Sequence, residues 1–165
     1  MAAGLLLHHL HAAGHDASVT SAGTRAFSLP VDPVATGAVG ELDVDISTHV
    51  PRQMDRTLLD DEGADLIITM TREHLRAVVA SHRTTFPRTF TLRELLRRAS
   101  VNGRSGVPFP EWVASVAEGR RAIDLMGDEN GDDISDPYGL GRGRVASTAV
   151  ELDVLIRQLV IAAPW

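Results

Sequence analysis

The stretch Ala64–Met70, ADLIITM, constrains this chain's fold more than any other. It is a nearly continuous apolar run, preceded by Gly63 and followed by the polar TREH. A strand with one wet face alternates apolar and polar side chains, whereas an unbroken run predicts a strand covered on both faces, as in parallel sheets. Its surroundings agree. Thr71 to about Ser81 places Leu75, Val78 and Val79 at helical spacing, Thr89–Leu92 reads as a second short strand, and RELLRRA continues as a helix. Parallel strands need crossover connections, so this alternation predicts an α/β, three-layer fold with a parallel sheet between helices and ligands held at the carboxyl ends of the strands.

The remaining elements are read the same way. Met1 to about Ala13 carries Leu6, Leu7 and Leu10 at helical spacing, with Gly14 as a stop. Ala17–Ser21, centred on Val19, reads as a short strand. Asp32 caps a short helix with Pro33 at its first position, closed by Gly40. A further helix is expected after Pro51, ending near Asp61. Val101–Pro110 is a Gly/Pro-rich loop, followed by a helix from about Glu111 to Ile123. Val145, Ala149, Leu152, Ile156 and Leu159 recur as the seam of a closing amphipathic helix. With 165 residues, 44% of them hydrophobic, one domain over residues 1–165 is the expectation.

Composition removes whole classes of function. A net charge of −6 and a pI near 5.6 argue against nucleic acid and anionic membrane as partners. All 16 basic residues are arginines, the signature of a high-GC bacterial genome. There is no cysteine, so disulfides, thiolate metal sites and thiol nucleophiles are excluded within these residues. Leu5–Leu10 lacks a basic segment before it and is interrupted by histidines, so a cytoplasmic location is expected. His8, His11 and His15 share one helical face at metal-ligand spacing, but no fourth ligand beyond Asp16 suggests itself, and a solvated polar face is the favoured reading. Neither a metal nor a cofactor is expected.

The most informative segment for chemistry is Asp133–Gly139, DISDPYG. In it Asp136 precedes a proline that fixes the backbone and an aromatic able to wall a pocket. A DP dipeptide alone is an ordinary turn former. It gains meaning from the segments before it: MAAGLL at the start, SAGT at Ser21–Thr24, ADLIITMTREH from Ala64 and TLREL from Thr91. In this order the five segments resemble the low-molecular-weight protein tyrosine phosphatase family along nearly the whole chain, with the poorest fit between Ala99 and Asp132.

The resemblance implies the phosphotyrosine protein phosphatase fold, with sheet order 2-1-3-4, and phosphotyrosine hydrolysis through a phosphocysteine. It implies Asp136 as the general acid, Tyr138 and Phe27 as the aromatic walls of the substrate cleft, and Ser21 as the serine supporting the phosphate loop. His74 falls just after the strand ending at Met70. In the family, a first strand and a C-x5-R-S/T loop precede the helix that starts here at Met1. That loop supplies an anion nest, an arginine grip and the thiolate nucleophile, so the resemblance is to an N-terminally truncated member, inactive without them. One implied history is a longer product of which Met1 is an internal start, with a phosphotyrosine protein as its partner. The alternative is a non-catalytic phosphatase-like binding or regulatory module; an arsenate reductase is a weaker one, since its relay needs further cysteines. Without the central strand, the strands around Val19 and Ile67 are expected about 9 to 10 Å apart, with exposed edges favouring self-association.

Overall fold

A computed structural model describes residues 1–24, 30–55, 58–59, 63–126 and 130–165. The chain divides into two compact units. The first comprises Met1–Met54, Ser135–Ile161 and Trp165, and the second Asp55–Ile134 with Ala162–Pro164. No helix among the described residues is long and apolar enough to cross a membrane.

The second unit contains the sheet. Strand β1, Ile67–Thr69, pairs in parallel with β2, Thr89–Thr91, through Ile67–Thr89, Ile68–Phe90 and Thr69–Thr91. The α/β reading with a small parallel sheet is therefore correct. β1 is shorter than the apolar run that announced it, and every residue of β2 is buried. Helix α3, Arg72–Ser81, and a 3-10 turn, Arg83–Arg88, make the crossover. Thr71 Oγ1 accepts the amide of His74 and caps α3, so His74 stands in the first turn of a helix. Thr91 caps α4, Leu92–Asn102, in the same manner through the Glu94 amide. Helix α5 covers Phe109–Ala117 and ends earlier than expected, because the chain turns at Gly119, with φ of +79°, before a 3-10 turn at Ala122–Met126. Leu75, Val78, Phe90, Leu95, Trp112 and Val116 are buried here.

In the first unit, α1 is Ala2–Ala12, α2 is Pro33–Gly40 and α6 is Arg142–Ala162. Asp32 Oδ1 accepts the Val34 amide at 2.9 Å, with Pro33 opening α2, as the sequence indicates. All five seam residues of α6 are buried. The inward face of α1 differs from the reading of Leu6, Leu7 and Leu10. It buries Leu5, His9 and Leu10, while Leu6 and Leu7 are half-buried. The rotation has a cause: His9 Nε2 lies 2.6 Å from Asp153 Oδ1 on α6, and Arg157 Nε donates to Asp153 Oδ2 at 2.8 Å. A buried imidazole with a carboxylate partner is admissible in a core where a bare one is not.

One further expectation fails. Ala17–Ser21 forms no strand ladder, although exposure still alternates along it. Parallel pairing begins only at Gly23, whose amide donates to the Arg52 carbonyl and whose carbonyl accepts the Met54 amide, each at 2.9 Å. The same bridge leaves Pro51–Met54, at the start of the helix expected to end near Asp61, non-helical; residues 56–57 and 60–62 of that expectation lie outside the described residues. Side chains reinforce it: Arg52 Nε donates to the Ser21 carbonyl at 2.9 Å and Gln53 Nε2 to the Thr24 carbonyl at 2.7 Å.

Candidate active site

The Asp136 turn is built by short-range bonds. Asp136 Oδ1 accepts the amide of Tyr138 at 3.0 Å, and the amide of Leu140 donates to the Pro137 carbonyl at 3.0 Å. Pro137 is buried between two exposed neighbours. Gly139 sits at φ of +76°, which a side chain would strain, so the turn's shape requires glycine there. Within the second unit, the Ile134 amide donates to the Met70 carbonyl at 2.8 Å, just past the end of β1.

The consequence for chemistry is presentation. One carboxylate oxygen of Asp136 is oriented by an amide, and the other makes no bond among the described residues. Tyr138 is 72% exposed, so its ring does not pack the turn. A carboxyl group held this way, beside an aromatic face, can hand a proton to a bound oxygen.

Ser21 belongs to the same unit. It is half-buried, its Oγ stands 3.5 Å from His49 Nε2, and its carbonyl is held by Arg52. No hydrogen bond joins Ser21 to the Asp136 turn among the described residues. Phe27 lies outside the described residues. His74 belongs to the second unit, half-buried in α3. Among the described residues no three His, Cys, Asp or Glu side chains are grouped to hold a metal ion.

Two groups went unnoticed in the sequence. One is the buried pair of His9 and Asp153 with the exposed Arg157 beside it; burial pushes the Asp153 carboxyl up, but hydrogen bonds and charge from Arg157 and His9 outweigh it and hold the group below the usual carboxylate range. The other surrounds Arg120 in the second unit. Its guanidinium pairs with Glu94 at 2.8 Å, donates to the carbonyls of Phe86 and Thr89, and stacks between the rings of Phe86 and Phe90. Burial lowers its pKa, and the neighbouring Arg98 charge acts in the same direction. The i, i+4 repeat of Leu5 and His9 was the available signal for the first group. Nothing in the sequence points Arg120 toward strand β2.

Parallel strands joined by a helix define an α/β protein. The chain belongs to the low molecular weight phosphotyrosine protein phosphatase family, whose match spans residues 1–126. Asp136 lies beyond that span. The low molecular weight protein tyrosine phosphatase from T. tengcongensis is similar at 25% identity, with a TM-score of 0.71, over 97% of this chain and 87% of that one. A YwlE mutant from Bacillus subtilis is similar at 25% identity and a TM-score of 0.69, over 97% and 86%. A YwlE arginine phosphatase solved with a phosphorylated active-site serine is similar at 26% identity and a TM-score of 0.68, over 98% and 84%. No curated protein matches the chain.

Proposed function

We propose that this chain carries the acid and substrate-cleft side of a phosphotyrosine phosphatase site, and that these 165 residues do not turn over phosphate esters by themselves. Asp136 is the general acid, Tyr138 and Phe27 are the cleft walls, and Ser21 supports a phosphate loop. The carrying observation is the Asp136 turn: a carboxylate oriented by one amide and open on its other side, beside an exposed tyrosine ring. In the full reaction a thiolate attacks phosphorus, the P–O bond to the phenol breaks, and the acid protonates the departing oxygen. The resulting carboxylate then takes a proton from the water that hydrolyses the phosphocysteine. A chain with no cysteine has no group for the first of these steps.

Hydrolysis of p-nitrophenyl phosphate tests both halves. The 165-residue chain is expected to be inert, and turnover by it ends the reading. Fusing a family strand and C-x5-R-S/T loop ahead of Met1 is expected to create activity. In the fusion, Asp136→Asn lowers kcat for poor leaving groups by about 10²- to 10⁴-fold. An equal rate in both fusions removes Asp136 from the acid role. Phosphoarginine is a second substrate to assay, because one similar structure is an arginine phosphatase. The ring of Tyr138 favours the phenyl ester. The absent thiol equally supports a non-catalytic module that binds partners in the cytoplasm, and binding without turnover in the fusion would select it.

A further inference from the structure

The Asp136 turn continues, within the first unit, into a surface that the acid role leaves unused. Tyr138 is 72% and Leu140 61% exposed on it. Directly after them stand Arg142 and Arg144, the first and third residues of α6, both exposed. Single exposed apolar side chains are ordinary. An aromatic, an aliphatic and two guanidiniums within the seven residues from Tyr138 to Arg144 are not, and tyrosine and arginine are among the side chains that interfaces enrich.

Elsewhere the chain ties its arginines down. Arg52 and Arg98 donate to carbonyls, Arg120 and Arg157 to carboxylates. The guanidiniums of Arg142 and Arg144 have neither kind of partner among the described residues. Their own segment offers none: the first turn of α6 holds no acidic residue, and the sequence from Pro137 to Val150 contains two arginines and no aspartate or glutamate. The ground around them is also clear. A methyl group placed on Gly139, Gly141 or Gly143 would meet no atom beyond its chain neighbours within 4 Å among the described residues, so a peptide backbone can come close to the turn. Chain length limits which part of a ligand the arginines reach. Four residues of fully extended chain span at most about 14 Å and six at most about 22 Å, so Arg142 and Arg144 lie within those distances of Tyr138. A ligand laid out along the surface therefore meets them within about six residues of the side chain it places against Tyr138.

We propose that the surface from Tyr138 to Arg144 binds the acidic flank of a phosphotyrosine peptide, with Arg142 and Arg144 pairing with aspartate or glutamate carboxylates within about six residues of the phosphotyrosine and Leu140 covering an apolar side chain between them. Guanidiniums suit carboxylates because each presents a planar pair of donors. Resting on the cleft assigned above to Asp136 and Tyr138, this surface sets the sequence context of the substrate. Heteronuclear NMR titration of the 165-residue chain at low salt tests it with three peptides: phosphotyrosine flanked by glutamates, the same with serines for glutamates, and the glutamate peptide with alanine for phosphotyrosine. The first is expected to shift the amides of Tyr138–Arg144 saturably, with affinity on the order of 1 mM or tighter, weakening as salt rises. Serines weaken binding about tenfold, and Arg142→Gln and Arg144→Gln about two- to fivefold each. Arg83→Gln, an equal loss of charge on exposed surface of the second unit, leaves it within about 1.5-fold. A glutamate preference undiminished by alanine keeps the acidic partner but removes Tyr138 from the cleft, so the two failures are told apart. No shift at these amides with any peptide, equal binding of the glutamate and serine peptides, or equal weakening by all three substitutions overturns the proposal. A dimer of the free chain that Leu140→Ser disperses assigns the surface to a second copy and overturns it as well.

Discussion

Replacing Arg120 by methionine tests the reasoning about the second unit most severely. The side chain is 4% exposed and serves five groups: Glu94 at 2.8 and 3.2 Å, the Phe86 carbonyl at 2.8 Å, the Thr89 carbonyl at 2.9 Å, and two aromatic rings at 4.5 and 4.1 Å. Methionine keeps the apolar stem and some contact with the rings, but strands a largely buried carboxylate and two carbonyls. Removing one partner of a buried pair costs about 3–5 kcal/mol, and lost cation–π attraction adds roughly 1 kcal/mol. Relief of repulsion from Arg98 offsets part of this, so a net loss of about 3–4 kcal/mol is expected. For a chain of this length that lowers Tm by roughly 6–16 °C. Urea unfolding followed by far-UV circular dichroism and tryptophan fluorescence measures it. The double variant Arg120→Met with Glu94→Gln should recover at least about 1 kcal/mol relative to the sum of the single losses, because no stranded charge remains. A loss under about 1 kcal/mol for Arg120→Met, the value of an exposed pair, would refute the argument.

Two other outcomes follow from the first unit. Gly4→Ala should gain up to about 1 kcal/mol of helix propensity, yet its methyl would stand 2.5 Å from Ile46 Cγ2, so overpacking of about 1–3 kcal/mol wins; a chain stabilised by the change contradicts this packing. Asp153 is held below the usual carboxylate range in the fold, so its contribution is fully present above the unfolded value, near pH 4, and is lost as pH falls through the lower folded value. Asp153→Asn should lower stability at pH 7 by roughly 1–3 kcal/mol and flatten the acid limb of a stability–pH curve; an unchanged limb excludes the linkage.

What could be read in the sequence was whatever local rules decide. The ADLIITM run, the Asp32–Pro33 cap and the four-and-three seam of α6 are local patterns, and each became the element it announced. The residues directly after Pro51 form a bridge because Gly23, thirty residues away, offers both its amide and its carbonyl. His9 was passed over beside three better-spaced histidines, since its justification is a carboxylate on the last helix. Arg120 likewise acquires meaning only from Glu94 and the two phenylalanines. At the candidate site, the turn of Asp136 was legible because its bonds span two or three residues; the surroundings of Ser21 were not, because His49 and Arg52 reach it from a distant segment.

The bond between His9 and Asp153 closes a separation of 144 residues. During synthesis at about 5–20 residues per second, the opening helix therefore waits roughly 7 to 30 seconds for its carboxylate. The stretch 55–134 meets its own partners almost as soon as it emerges. Helix α1, made before its carboxylate partner, can complete its packing only after Asp153 has emerged.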